Sequence, residues 1–274
     1  MKSSRTEGPS RRTSRSQKPG WRWLTALGKI FLCLVVGAGL GLAVRKGFQW
    51  SRHSPRFAIR TVQIRSGPRV KPEDIRKLSG IAEGKNIFSF PLAGAVRQIE
   101  FHPWVLRATV TRKLPDRVEI AVTEREPFAI AALGALYYVD QECHVFKRVL
   151  PGEALDYPVL TGLSLDQVIA QQSAVEAQIR QAQTVLGLAR SSRVLSERQI
   201  SEVRLDPTFG VSLWTAPEGL RIRLGGQDFP ERWRRLERVL VELAGDWAKI
   251  EMIDLNFQGQ ATVKLRSGYK VAMN

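Results

Sequence analysis

The sequence is poor in the residues that most often carry chemistry. It has two cysteines, Cys33 and Cys143, and three isolated histidines, His53, His102 and His144. Two cysteines give no disulfide framework, and Cys33, inside an apolar run, is poorly placed to meet Cys143. Cys143 reads as a lone buried thiol. HExxH, GxSxG, CxxC, Walker and GxGxxG arrangements are all missing, which lowers the odds of a zinc hydrolase, a serine esterase or a nucleotide enzyme. The carboxylate pairs Glu73/Asp74 and Glu124/Glu126 read as adjacent surface charge rather than an acid/base couple. No catalytic residue, metal site or cofactor is expected. Internal repeats are also lacking.

Acid is scarce at one end of the chain. Residues 1–56 hold twelve Lys/Arg against one acid, Glu7, whereas residues 57–274 hold thirty against twenty-five, so most of the net +16 lies in the first fifth. A basic block beside an apolar one is first a membrane-topology signal. The apolar block is Ile30–Val44, IFLCLVVGAGLGLAV, and extending it back to Leu24 gives 21 residues with Lys29 as the only charge. At about 1.5 Å per residue it spans roughly 30 Å, the thickness of the hydrocarbon core. Trp21, Trp23 and Trp50 suit the two interfaces. Basic residues are denser before the run, which favours a cytoplasmic N-terminus, although Arg45, Lys46, Arg52 and Arg56 follow it. A cleaved signal peptide is the weaker reading, because the run is long and basic residues come after it. Gly37 and Gly41 have GxxxG spacing, and glycine is common in membrane helices anyway.

The expected organisation is a disordered basic tail over 1–23, a transmembrane helix over 24–44 and a juxtamembrane linker over 45–56. Two folded regions follow, 57–125 and 126–266, then a tail over 267–274. The first folded region reads strand (57–64), helix from Pro72 to near Gly80, helix (92–99), and a hairpin of strands 105–111 and 118–123 around Leu114-Pro115-Asp116. The second begins with short strands near 137–140 and 145–146. A long helix, 166–190, carries Val168, Val175, Ile179, Ala182 and Leu186 on one face. Strands fit 200–205, 211–215 and 220–224. Asp228 and Pro230 open an amphipathic helix with Trp233, Leu236, Leu240 and Leu243 inward, ended by Gly245. Its residues Arg232, Arg234, Arg235 and Arg238 read as a solvated basic face. Two strands, 252–257 and 261–265, close the chain. Antiparallel strands with a few helices make this an α+β protein.

Residues 83–126 carry Gly84, Asn86 and Phe88; Val96-Arg97; Pro103-Trp104-Val105; Ala108 and Val110; Arg112; Pro115-Asp116; and Glu124-Arg125. Further on come Tyr138-Val139-Asp140 with Val145-Phe146, Pro158-Val159-Leu160-Thr161-Gly162, Leu224-Gly225 and Ile253-Asp254-Leu255. This ordered series resembles the FtsQ/DivIB family of bacterial division proteins over roughly residues 20–266. The chain departs from the pattern at His144, where the family has a turn glycine, and at Asn256-Phe257 in place of Arg-Tyr. Its penultimate loop, Gln258-Gly259-Gln260, has the glycine shifted by one. The resemblance implies a βααββ POTRA domain over 57–125 and the family's β domain after it. It also implies a non-enzymatic scaffold, important for septum formation, that links early and late division proteins. The protein would cross the inner membrane once, N-terminus in, and act at the division site. It would bind the periplasmic parts of FtsB and FtsL through its last strand, carried over here as Phe257, Gln258, Gly259, Gln260, Ala261, Thr262, Val263, Lys264 and Leu265. Among those, Phe257 and Thr262 are expected to make contacts. No nucleic acid or small-molecule substrate is expected.

Other classes fit less well. A POTRA protein of export or envelope assembly is the nearest alternative. A POTRA transporter with its own β-barrel needs more strand than the last 150 or so residues supply. An anchored enzyme lacks a catalytic cluster, and a nucleic-acid binder is at odds with the apolar segment.

Overall fold

The computed structural model describes residues 20–153, 155–243, 247–257 and 259–267, with the backbone alone for residues 20–26 and His53. Most of the basic tail, Gly245, Gln258 and residues 268–274 lie outside them.

Helix α1 is continuous over Gly20–His53. Its apolar part, Leu27–Arg52 by length and hydropathy, is long enough to cross a membrane and is not covered by the rest of the chain. The residues expected as a juxtamembrane linker are therefore mostly helix. Nothing in GFQWSRH breaks an α-helix, and Ser54-Pro55 ends it, because a residue before proline is pushed out of the helical region. Strand β1 is Thr61–Arg65 and helix α2 is Pro72–Ser79, closed by Gly80 in the left-handed conformation. Helix α3 is Leu92–Glu100. Strands β2 (Val105–Lys113) and β3 (Arg117–Glu124) form the hairpin. The three strands make one sheet in the order β1-β3-β2.

A nine-stranded sheet follows. Its strands are β4 (Pro127–Ala132), β5 (Leu136–Asp140), β6 (Val145–Arg148), β7 (Val159–Thr161), β8 (Ile200–Asp206), β9 (Gly210–Thr215), β10 (Arg221–Gly225), β11 (Ile250–Asp254) and β12 (Thr262–Leu265). The spatial order is β12-β11-β10-β9-β8-β7-β4-β5-β6. Neighbours joined by short turns run antiparallel. The pairs β4/β7, β7/β8 and β10/β11 are parallel; the first is connected through the β5–β6 hairpin, and the other two are bridged by helix. Helices α4 (Leu165–Ala170) and α5 (Gln172–Ser191) make the first crossover, and α6 (Phe229–Glu242) the second. The single helix expected over 166–190 is thus two. Ser164 and Gln167 form a capping box that starts a short helix, and the backbone breaks at Gln171 (φ −134°, ψ 45°).

The chain divides into two compact units. One contains Met1–Val62, Ala82–Pro91 and Arg112–Val118; the other contains Gln63–Ile81, Leu92–Thr111 and Glu119–Asn274. The second unit holds the main core. Val175, Ile179, Ala182, Val185, Leu186 and Ala189 of α5, with Trp233, Leu236 and Leu240 of α6, pack on Val203, Leu213, Ile222 and Ile253 of the sheet. Fully burying a side chain of this size stabilises by about 1.5–3 kcal/mol, so the helices hold the sheet firmly behind its last strand.

Candidate functional site: the terminal strand and its supports

Strand β12 ends the nine-stranded sheet. Among the described residues it pairs with β11 alone, antiparallel, matching Ile253 with Val263 and Asp254 with Thr262, and slips between Ile250 and Met252. Thr262, Val263 and Lys264 are exposed, and Leu265 is half-buried. A terminal strand offers one row of backbone N–H and C=O groups to whatever lies beside it. Lys264 reaches back to Glu251 at 2.6 Å, a pair with both side chains about half exposed.

The expected contact segment began at Phe257, but the strand begins at Thr262. Residues 255–257 and 259–261 lie outside any strand, with Gly259 in the left-handed conformation and Phe257 exposed. The cause is Arg235. Its guanidinium donates to the carbonyl oxygens of Phe257 (2.9 Å) and Gln260 (3.0 Å) and pairs with Glu231 at 2.8 Å. Those carbonyls turn toward α6 instead of joining a ladder. Arg232 adds donations to the Leu224 carbonyl and to Asn256 Oδ1. The arginines of α6 are therefore not one solvated face. Arg234 and Arg238 are exposed, while Arg235 is buried. Sequence reasoning missed Arg235 because its partners lie 22 and 25 residues away. The available signal was Glu231, one helical turn earlier, which neutralises it.

The motif residues turn out to build the scaffold. Arg125 pairs with Asp140, which is wholly buried and also accepts from the His144 backbone N–H at 2.8 Å. Asp140 thus fixes the β5–β6 turn, and the left-handed residue of that turn is Cys143 (φ 69°), not His144. The Cys143 thiol is buried, with Sγ 3.4 Å from Gln183 Oε1; burial pushes its pKa up. Gly162 has φ +86°, and a Cβ there would overlap the Leu205 carbonyl, so that position takes only glycine. Asp254 pairs with Arg223 at 3.1 Å between the parallel strands β10 and β11. Glu124 is not idle surface charge: its carboxylate accepts from the backbone N–H groups of Arg69 (3.1 Å) and Val70 (2.9 Å). The site therefore has a rigid frame and an open strand. What such an arrangement offers is hydrogen bonding to an extended segment.

Comparison with known proteins agrees with this architecture. Residues 57–125 match the model of the POTRA domain, FtsQ-type, and residues 129–256 match that of the cell division protein FtsQ/DivIB C-terminal region. The chain is 36% identical over 261 residues to the cell division protein FtsQ of Myxococcus fulvus, covering 92% of this chain and 87% of that one. It is 34% identical over 215 residues to the protein of the same name from Syntrophotalea carbinolica, covering 78% and 76%. With that of Geotalea daltonii it shares 31% over 208 residues, 76% of each.

Proposed function

Since the chain belongs to the FtsQ/DivIB family of cell division proteins, we propose that it is a scaffold, not a catalyst, and that it works by adding a partner strand to β12. α1 anchors it in the cytoplasmic membrane with the N-terminus inside, so the two folded regions stand on the outer side at the division site. The partners are the extracytoplasmic segments of FtsB and FtsL. The observation that carries this reading is the position of β12: last in its sheet, backed by a firm core, with exposed side chains at residues 262–264. An exposed strand of this kind is a template for pairing unless something blocks it. Backbone hydrogen bonds then give affinity, and the alternating side chains of Thr262, Val263 and Lys264 give register.

Proline scanning along β12 tests this. Successive residues of a strand point their N–H groups to opposite sides, and proline has none to donate. Val263→Pro and Lys264→Pro, made separately in the full chain, remove one N–H facing β11 and one facing outward. The outward variant is expected to keep its fold by circular dichroism and to lose binding of FtsB and FtsL segments by roughly tenfold or more, the equivalent of at least one hydrogen bond to a desolvated partner. Full binding by both folded variants would sink the strand-addition reading.

A further inference from the structure

The far end of β12 is held by a residue outside the strand. Regular pairing with β11 covers Thr262, Val263 and Lys264, matched with Asp254, Ile253 and Met252. Beyond Lys264 the register slips: Leu265 matches Ile250, which leaves Glu251 as an extra residue on β11. A bulge of this kind interrupts the ladder and bends the sheet locally. With the ladder interrupted, a strand held from one side has little backbone pairing to keep its end down. Arg266 follows directly and is half-buried.

Four main-chain carbonyls accept from Arg266. Its backbone N–H donates to Lys249 at 2.9 Å. Nε donates to Ile250 at 3.1 Å, and Nη2 donates to Glu218 at 2.5 Å and to Gly219 at 3.2 Å. Topology explains how one residue reaches all four. Strands β10 and β11 run parallel and start at the same end of the sheet, where antiparallel β12 finishes. Lys249 and Ile250 lie at the start of β11, and Glu218 and Gly219 lie in the turn that leads into β10. Arg266 thus reaches across β11 and fastens β12 to the head of β10. The anchor is firm, because Leu220 and Ile250 beside those carbonyls are buried in the core. A guanidinium suits the task. Its rigid fork donates in several directions at once, whereas an ammonium is a point charge on a flexible stem.

Arg235 does the corresponding work ahead of the strand, through the Phe257 and Gln260 carbonyls. Strand β12 is therefore slung between two arginines, one before it and one after it. We propose that Arg266 is a positioning residue of the partner site. It keeps the bulged end of β12 in the plane of the sheet, so that an extended partner segment meets an edge that is already ordered. The functional half of this inference rests on the strand-addition reading above. Its physical basis is preorganisation: a residue that must be fixed on binding weakens affinity by roughly five- to thirtyfold. Arg266 fixes the last residues of β12 beforehand and needs no contact with the partner to do so.

The test compares the full chain with Arg266→Ala and Arg266→Lys, by backbone hydrogen exchange and by affinity for FtsB and FtsL segments. Arg266→Ala should speed exchange over 261–266 by roughly tenfold or more, leave 200–225 unchanged, and weaken binding by roughly tenfold. Arg266→Lys should fall between on both readouts. If Arg266→Ala does not fold, Arg266→Lys carries the same two readings. Rescue separates position from contact. Met252 and Lys264 face each other across the ladder, so Met252→Cys with Lys264→Cys can form a cross-strand disulfide. In a Cys33→Ser background, the oxidised pair should bring Arg266→Ala level with the same disulfide beside an intact Arg266. Reduction should reopen the gap. Unchanged exchange over 261–266 overturns the clamp. Faster exchange with full affinity, or a gap that persists in the oxidised pair, overturns the positioning role. If the unaltered chain binds neither segment, the strand-addition reading falls and the positioning role with it, while exchange still decides whether the clamp exists.

Discussion

The nine-stranded sheet has two ends, and they are built oppositely. At one end, β6 is closed off. Phe146 stacks on Tyr138 at 6.0 Å and stands edge-on to Trp104 at 5.3 Å. The Arg69 guanidinium covers the other part of Trp104 at 4.4 Å. Lys147 turns in to Glu153 at 2.8 Å, and the Leu150 N–H donates to the same carboxylate. Inward-turned charges and a folded-back loop are devices that keep an edge from pairing. At the other end, β12 has none of this cover among the described residues; its one ion pair, Lys264 with Glu251, is exposed. Among the described residues one sheet thus carries a blunted edge and an uncovered one, and it is on the uncovered edge that the proposed partner strand would add.

The largest effect expected on this contrast comes from Trp104→Ala. It removes the ring shared by Tyr138, Phe146, Arg69 and Lys147. Truncating a buried tryptophan costs about 3–5 kcal/mol, and chemical denaturation should show that loss. Affinity for the partner segments, per folded molecule, should not move, because β6 lies at the far end of the sheet from β12. Affinity that collapses with Trp104 while the fold persists would mean that the two ends are not separate in function.

Arg235→Ala should act the other way round. Its stability cost is smaller, about 2–3 kcal/mol, for a buried guanidinium whose carbonyl partners are left short of donors. Binding should weaken by roughly tenfold as well, since Arg235 holds the loop that delivers β12 to the edge. Arg235→Lys, which keeps the charge but not the fork, should fall between. Unchanged partner affinity in Arg235→Ala would separate the loop from the site.

Much of this plan was legible in the sequence, and what was not failed for physical reasons. The βααββ pattern, the stripe Trp233, Leu236 and Leu240, and the last strand all follow from local periodicity. The break at Gln171 does not, because no glycine or proline marks it; the capping box at Ser164, seven residues earlier, marks only the start of α4. The turn residue of β5–β6 was sought at His144, in the slot of a family glycine, yet Cys143 takes the left-handed backbone and pays for it with a buried thiol held by α5. Arg235 was read with its exposed neighbours because residue type alone cannot tell a solvated guanidinium from a buried one. Partners supplied by a distant loop decide that. The last strand, expected from Ala261, starts one residue later at Thr262; hidden instead was the docking of the Phe257 and Gln260 carbonyls on Arg235.

The smallest effect sharpens the contrast by pH. Hydrogen bonds from the Leu150 N–H, then from Lys147, hold the Glu153 carboxyl below its ordinary pKa, against a minor opposing cost of burial. Glu153 therefore stabilises the β6 end in its charged form. That contribution is complete above the unfolded value, near pH 4.3, and is lost as pH falls through the lower folded value. Glu153→Gln should cost less than about 1 kcal/mol at neutral pH, because the pair is partly exposed. It should also flatten the stability curve below about pH 4.3. Lys264→Ala at the open end should change stability by about 0.5 kcal/mol or less, since both its partner and itself face solvent. Denaturation midpoints for both variants across an acid series make the comparison. If Lys264→Ala costs as much as Glu153→Gln, charge does not distinguish the two edges, and their difference rests on the aromatic cover of β6 alone.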